Sequence, residues 1–338
     1  MLSDQIDEKI EVLNAPEIPG LVFRKCAGEQ DYPAMLDVIN GAKVEDKVER
    51  STTIDDVANT YNHLENCDPF TDMLMAEVDG KMIAYSRVTW GRQTDDETFY
   101  FTFGFLLPEW RRKGIGTAML TWTEDRLRQI ASEHTWSGKR FFQAGAEETE
   151  IGATILFVKS GYEPARYELT MKRLVTDPLP DAPMPASLEV RPVQPEHIRP
   201  IWDAMQEAFR DHWGYVPGTE IDYQGWQGES SFQPELWKVA WDGEQVAGME
   251  LNFIDHPENE EYERLRGYTE GISVRRPWRK RGLARSLIVQ SINMFKDMGM
   301  TETALGVDSQ NLSGAFRLYQ GVGYKKIKQY VIYRKPLD

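Results

Sequence analysis

The stretch Arg111-Arg112-Lys113-Gly114-Ile115-Gly116 returns as Arg279-Lys280-Arg281-Gly282-Leu283-Ala284, the glycines Gly114 and Gly282 standing 168 positions apart in a chain of 338. Each copy follows an apolar run, Phe105-Leu106-Leu107 or Ile272-Ser273-Val274. Each precedes apolar residues at helical spacing, which in the later copy are Leu287, Ile288, Ile292 and Phe295. The pattern is a buried strand, a basic loop and the first turn of a helix. The first N–H groups of a helix have no internal partner, and the helix dipole favours negative charge there. Each loop therefore reads as an anion site, and Gly114, Gly116, Gly282 and Ala284 are small enough to let a phosphate approach the backbone. Neither loop continues into Gly-Lys-Ser/Thr, and neither has the Gly-x-Gly-x-x-Gly order, so Walker A and dinucleotide turns are excluded.

A repeat at half the chain length implies a duplication, and the other landmarks agree. Arg24 and Arg191 close predicted first strands, Asp79-Gly80 and Asp242-Gly243 are hairpin turns, and Gly161-Tyr162 and Gly323-Tyr324 follow predicted last helices. Both halves read β-α-α-β-β-β-α-β-α-β. Pro178, Pro180, Pro183 and Pro185 rule out a regular element between them. The predicted organisation is a lead-in over 1–19 with a helix over Asp4–Leu13, a domain over 20–176, a linker over 177–186 and a domain over 187–338.

Length and composition are those of two ordinary globular domains. The net charge of −15 argues against nucleic acid and is compatible with a cationic acceptor such as an amine. Two cysteines are too few for a disulfide framework, and no Cys/His cluster has metal-binding spacing. No apolar run is long enough for a membrane span and the first residues lack a signal-peptide pattern, so a cytoplasmic location is the expectation. The sequence leaves open whether the chain forms a homodimer.

The loop pattern resembles motif A of the GNAT superfamily of acyl-CoA-dependent N-acyltransferases, in which an Arg/Gln-x-x-Gly-x-Gly/Ala loop holds the CoA pyrophosphate. The resemblance covers nearly the whole chain as two tandem copies, an architecture similar to that of mycothiol synthases. It implies an α/β (α+β) fold in each half, a mixed, mostly antiparallel sheet flanked by helices. It also implies acetyl-CoA as co-substrate. The expected contacts are Arg279, Lys280, Arg281, Gly282, Leu283, Ala284 and Arg285, with Ile272 and Val274 on the strand before them. In the first copy they are Arg111, Arg112, Gly114, Ile115 and Gly116.

Acylating an amine requires a base for its proton, a donor for the carbonyl oxygen, a proton or hydrogen bond for the leaving thiolate, and a held thioester. Asn311-x-x-x-Ala315-x-x-x-Tyr319-x-x-x-Gly323-Tyr324 matches the end of the GNAT domain, where a tyrosine serves as general acid. Tyr319 is therefore the candidate acid. Asn311 is a candidate pantetheine contact, and it also suits the N-cap of a helix over 312–320. Glu270 shares a predicted strand face with Tyr268 and Ile272 and is the candidate base, with Glu250 in reserve. The resemblance gives the Val274 N–H to the carbonyl oxygen, at a bulge of the central strand.

In the first copy Phe157 stands for Tyr319, Thr149 for Asn311, and Thr102 falls opposite Glu270. A phenyl ring cannot protonate a thiolate. That copy is expected to keep CoA-binding geometry or only the scaffold, without turnover. Phe209 to Pro217 packs aromatic and polar residues outside a regular element, which makes His212, Trp213 and Tyr215 candidates for the acceptor wall. The expected activity is acetyl transfer to a primary amine of a small molecule by the second copy. An acyl-CoA-binding sensor without turnover and a protein N-acetyltransferase are the alternatives.

Overall fold

The computed structural model describes residues 9–311 and 314–337. The chain forms two compact units: unit 1 runs to Ala165 and takes in the stretch from Val331, and unit 2 is Arg166–Tyr330. The first half of the chain contributes β1 (Leu21–Arg24), α1 (Tyr32–Asp46), α2 (Ile54–Asn62), β2 (Met73–Val78), β3 (Lys81–Arg92), β4 (Glu97–Leu106), α3 (Ile115–Glu133), β5 (Lys139–Glu147), α4 (Ile151–Lys159) and β6 (Glu163–Leu174). The second contributes β7 (Glu189–Arg191), α5 (Ile198–Phe209), α6 (Glu220–Gln227), β8 (Lys238–Asp242), β9 (Gln245–Phe253) and α7 (His256–Glu261). It continues with β10 (Arg266–Val274), α8 (Leu283–Asp297), β11 (Glu302–Asp308), α9 (Ala315–Gly321) and β12 (Lys325–Pro336).

Each unit is a mixed, mostly antiparallel sheet flanked by helices, as the sequence leads one to expect. The parallel pairs are β4 with β5 and β10 with β11. The last strands depart from the sequence repeats. In unit 2 the final strand of the first repeat, β6, pairs antiparallel with β11 over Glu168–Leu174. In unit 1 the end of the chain closes the sheet: Leu337 N–H donates to Arg140 O, and Arg334 binds Gln143 and Glu97. Each unit is thus completed by a strand from the other repeat.

Local chemistry sets the elements. Asp79 and Gly80 both have positive φ, the requirement of a tight type I′ hairpin. In the second copy the turn lies one residue later than predicted, at Gly243-Glu244, because Asp242 still pairs with Gln245. Thr53 and Thr219 form capping boxes with Asp56 and Asp222. Two expectations fail. The predicted helix Asp4–Leu13 lies partly outside the described residues, and over 9–13 the chain is not helical, with Lys9 bridging Arg24. Asn311 is not an N-cap, because the last helix starts at Ala315 behind Gly314. Residues 312 and 313 of that prediction lie outside the described residues.

The feature that positions the site is where the parallel pairs stop. The β10 strand pairs with β11 only over Arg266–Tyr268, and β4 pairs with β5 only over Glu97–Phe101. Beyond those residues the two central strands of each unit part. The loop and helix mouth follow at the open end.

Candidate active site

Both basic loops adopt one backbone conformation. Arg112 and Lys280 have φ of 62°, and Gly114 and Gly282 have φ of 90° and 88°. Left-handed residues at these two positions turn the backbone of each loop sharply, a geometry suited to an anion-binding concavity of N–H groups. Neither glycine caps its helix with a side chain, and the first backward helical bonds come from Ala118 and Ser286. The N–H groups of residues 115–117 and 283–285 therefore remain outside the helical ladder. A Cβ on Gly282 would meet no atom within 4 Å, so space lies beside this backbone. The Ile115 and Leu283 side chains are buried, so only their amides can serve an anion. Arg285 stands in the same first turn of α8.

The first arginine of each loop is a strut. Arg279 donates to Val274 O (2.8 Å), Ala208 O (3.0 Å) and Asp211 Oδ2 (2.6 Å). Arg111 donates to Leu106 O (3.1 Å) and holds Asp46 bidentately at 2.6 Å. Each guanidinium ties its loop to the strand before it and to the chain at the end of the first helix of its repeat, and its hydrogen-bonding capacity is largely used there. Asp211 also binds Arg276, and the two guanidinium groups hold its carboxyl far below the ordinary range. Arg281 reaches Ala186 O at 3.0 Å.

In unit 2 the register of β9 against β10 slips by one residue between Glu270 and Ser273. Gly271, with φ of 58°, sits in this bulge, and a Cβ there would come within 3.0 Å of Leu251. The bulge breaks strand alternation, so the expected common face of Glu270 and Ile272 does not form. Arg275 N–H donates to Ala247 O, so by alternation the Val274 N–H points away from β9, toward the side where β10 leaves β11. Glu270 reaches across that gap, and its Oε1 accepts from Gly306 N at 2.7 Å. Burial pushes Glu270 up to about 7, against the Gly306 hydrogen bond and with help from Glu168.

Tyr319, on α9, is buried and packs edge-on to Tyr324 at 6.3 Å between ring centroids. Tyr324 is fixed by the hydroxyls of Thr269 (2.8 Å) and Thr303 (2.9 Å). Burial and then the charges of Glu270 and Glu250 raise Tyr319 far above an ordinary phenol, so it stays protonated. The structure thus gathers Glu270, Glu250 and Tyr319 within electrostatic reach of one another.

Glu250 is fully buried, and its one polar aid, the Ser291 hydroxyl, stands outside good hydrogen-bonding geometry. Burial pushes it up to about 8, with Ser291 lowering it and Glu270 raising it. The folded state therefore retains a proton that the unfolded state releases near about pH 4.3. Stability should fall as pH rises from there to about 8. Glu250→Gln removes the buried charge. Denaturant unfolding should show it more stable than the parent by several kcal/mol at about pH 8.5, with that advantage lost at about pH 4. An equal effect at both pH values would show that Glu250 does not titrate in this range.

The three residues expected at the acceptor wall each have defined neighbours. Arg166 holds Asp308 at 2.6 Å and lies over the Trp213 ring, 5.1 Å from its centroid. His212 is edge-on to Phe209, and burial lowers its pKa against the opposing charge of Asp308. The Tyr215 hydroxyl donates to Gln206 Oε1 at 3.1 Å, which fixes the end of the segment. Asn311 N–H donates to Asp308 O, which places Asn311 next to the Arg166–Asp308 pair.

The registers correct the match between the copies. Leu251 pairs with Glu270 where Arg87 pairs with Phe103, and Asn252 pairs with Thr269 where Val88 pairs with Thr102. Phe103 is therefore the counterpart of Glu270, and Thr102 that of Thr269. The offset differs by one because β4 pairs with β3 without a bulge. By the same count Ser86 stands for Glu250. Phe157 packs on Tyr162 and Tyr333, each at 5.7 Å. Unit 1 nevertheless has a cavity of about 390 Å³ at its helix mouth, bordered by Arg111, Arg112, Gly114, Gly116, Phe103 and Phe157 among others.

Comparison with known proteins bears on the family and the fold. The model of the acetyltransferase (GNAT) family matches residues 38–146 and 198–324. Mycothiol acetyltransferase of Geodermatophilus obscurus is 27% identical over 258 residues, covering 75% of this chain and 79% of that protein. Mycothiol acetyltransferase of Pseudarthrobacter chlorophenolicus is 26% identical over 230 residues, 67% of each chain. A GCN5-related N-acetyltransferase from Sphaerobacter thermophilus superposes with a TM-score of 0.67 at 24% identity, covering 94% of this chain and 95% of that one. A tandem GNAT protein from the clavulanic acid biosynthesis pathway gives 0.62 at 13% identity, covering 94% and 98%, and so shares the fold.

Proposed function

We propose, for a chain that belongs to the acetyltransferase (GNAT) family, that the second copy acetylates a primary amine of a small molecule by direct attack. The observation that carries this reading is the parting of β10 and β11 with Glu270 in the gap and Tyr319 beside it. The names of the relatives, mycothiol acetyltransferases, favour an amine of similar class.

Acetyl-CoA, the co-substrate of the family, supplies an activated thioester. The residues here fit it: the N–H groups of Leu283, Ala284 and Arg285 lie outside the helical ladder, and nothing stands beside Gly282. Lys280, Arg281 and Arg285 add positive charge around that mouth, while Arg279 holds its shape. Ile272 and Val274, on β10 beyond its pairing with β11, are assigned to the wall of the gap, and Asn311, whose N–H donates to Asp308 O, to the pantetheine arm.

Glu270, ionised above about pH 7, takes the proton of the attacking amine, directly or through water. The Val274 N–H donates to the carbonyl oxygen as it gains charge. The Tyr319 hydroxyl donates to the departing sulfur. His212, Trp213 and Tyr215 form the wall against which the amine is held.

In unit 1 the matching loop conformation and the cavity support retained CoA binding, with Arg111 as the strut and Arg112, Gly114, Ile115 and Gly116 at the mouth. Phe157, Phe103 and Ser86 provide neither acid nor base, so this copy does not turn over. The test of the proposal is CoA release across a panel of small primary amines, with acetyl-CoA binding measured by calorimetry. Turnover with at least one amine is expected. Tight binding with no release on any of them would contradict an enzymatic role and favour a sensor.

A further inference from the structure

The cavity of unit 1 borders both faces of its sheet. Among its lining residues, Thr102, Gly104 and Leu106 lie on one face of β4, and Phe103 and Phe105 on the other. The pairing of β4 with β5 ends at Phe101, so one space meets both faces at the free edge of β4 beyond that residue. One end of the space is the helix mouth, with Arg112, Gly114, Gly116 and Thr117. The other reaches Tyr85, Phe103 and Phe105. These three rings form one cluster. Their centroids are 6.5 Å apart for Tyr85 and Phe103, 5.7 Å for Tyr85 and Phe105, and 5.0 Å for Phe103 and Phe105.

The registers show what the rings replace. Phe103 stands for Glu270, and Phe105 pairs with Tyr85 where Ser273 pairs with Met249. Where unit 2 places a carboxylate and a hydroxyl, unit 1 places two phenyl rings. Tyr85 is buried, whereas Phe103 and Phe105 are only half-buried, so ring surface stays open. Arg87 and Arg50, whose guanidinium groups stack on Phe103 and Phe105, are not among the residues that border the cavity. Of the two carboxylates that do border it, Asp46 is neutralised by Arg111, and Glu150 accepts from Glu147 N–H. One end of the space therefore suits an anion and the other an apolar group. A ligand that fits both is anionic at one end and apolar at the other.

We propose that unit 1 binds an acyl-CoA whose acyl group is apolar and several carbons longer than acetyl. The diphosphate lies at the helix mouth, and the acyl chain lies against Phe103, Phe105 and Tyr85. The inference rests on the reading that this mouth holds CoA, and it adds what the CoA carries there. No bond is made or broken, because Phe103, Ser86 and Phe157 supply neither base nor acid. Each methylene removed from water strengthens binding about fourfold, so a wall that covers even two of them favours a longer chain over acetyl by about tenfold or more.

The test is calorimetry on the full chain with acetyl-CoA, octanoyl-CoA and free octanoate. The parent is compared with Gly116→Glu, which sets a carboxylate in the first helix mouth, and with Phe103→Gln and Phe105→Gln. The parent should show a site that Gly116→Glu abolishes and that takes octanoyl-CoA about tenfold or more tightly than acetyl-CoA. At that site each glutamine variant should weaken octanoyl-CoA by about tenfold and change acetyl-CoA by less than about twofold. Both rings are half-buried, so a polar replacement is tolerated at one or the other, and either variant suffices. Octanoyl-CoA bound no more tightly than acetyl-CoA at the site that Gly116→Glu removes would overturn the inference and leave the CoA reading standing. If Gly116→Glu removes no site, both fail. Free octanoate bound as tightly as octanoyl-CoA would also overturn the inference, because the wall would then act without the mouth.

Discussion

Replacing Glu270 with Gln should lower kcat/KM by about 10²- to 10⁴-fold, the usual contribution of a positioned general base. The amide keeps the oxygen that accepts from Gly306 N, so the gap between β10 and β11 should keep its shape. The pH profile separates a chemical role from a structural one. Glu270 is held near about 7 by burial, and a base works only when ionised. The rate of the parent should therefore climb with pH up to about 7 and lose that limb in Glu270→Gln. Any remaining dependence belongs to deprotonation of the amine. A variant that retained the limb would move the base elsewhere, with buried Glu250 the next candidate.

The second large effect is expected from Tyr319→Phe. The change removes one hydroxyl and leaves the ring in its packing against Tyr324. Tyr319 is kept protonated by burial and by two nearby acids. It is therefore suited to donating a hydrogen bond to a developing thiolate, not to releasing its proton early. Steady-state kinetics should show kcat reduced by about 10²-fold, with calorimetric affinity for acetyl-CoA changed by less than about twofold. Equal loss of binding and turnover would mean that Tyr319 shapes the cleft instead of serving the leaving group.

Much of this site is legible in the residues. The repeated basic loops, the glycines that open both helices and the hairpin residues each require a local backbone state, and such states can be read without tertiary information. The spacing from Asn311 to Tyr324 likewise placed the tyrosine correctly on the last helix. What escaped the reading depends on partners distant in sequence. Arg279 reads as a phosphate contact until Asp211 and Ala208 are seen to absorb its donors. The match of Thr102 to Glu270 assumed unbroken alternation, which the bulge at Gly271 disrupts. A glycine inside a strand is itself a signal of a bulge, so this position was open to inference. The exchange of last strands had no signal, because β6 and β12 carry similar patterns and either could complete either sheet.

The central claim is that unit 2 holds the thioester between the Val274 amide and the Tyr319 hydroxyl, with the diphosphate on the amides from Leu283 to Arg285. A crystal structure of the protein with a non-reactive acetyl-CoA analogue tests this directly. The account predicts the analogue's carbonyl oxygen within hydrogen-bonding distance of Val274 N and its sulfur beside Tyr319 Oη. An analogue found only in unit 1, or bound in unit 2 with its sulfur away from Tyr319, would contradict it.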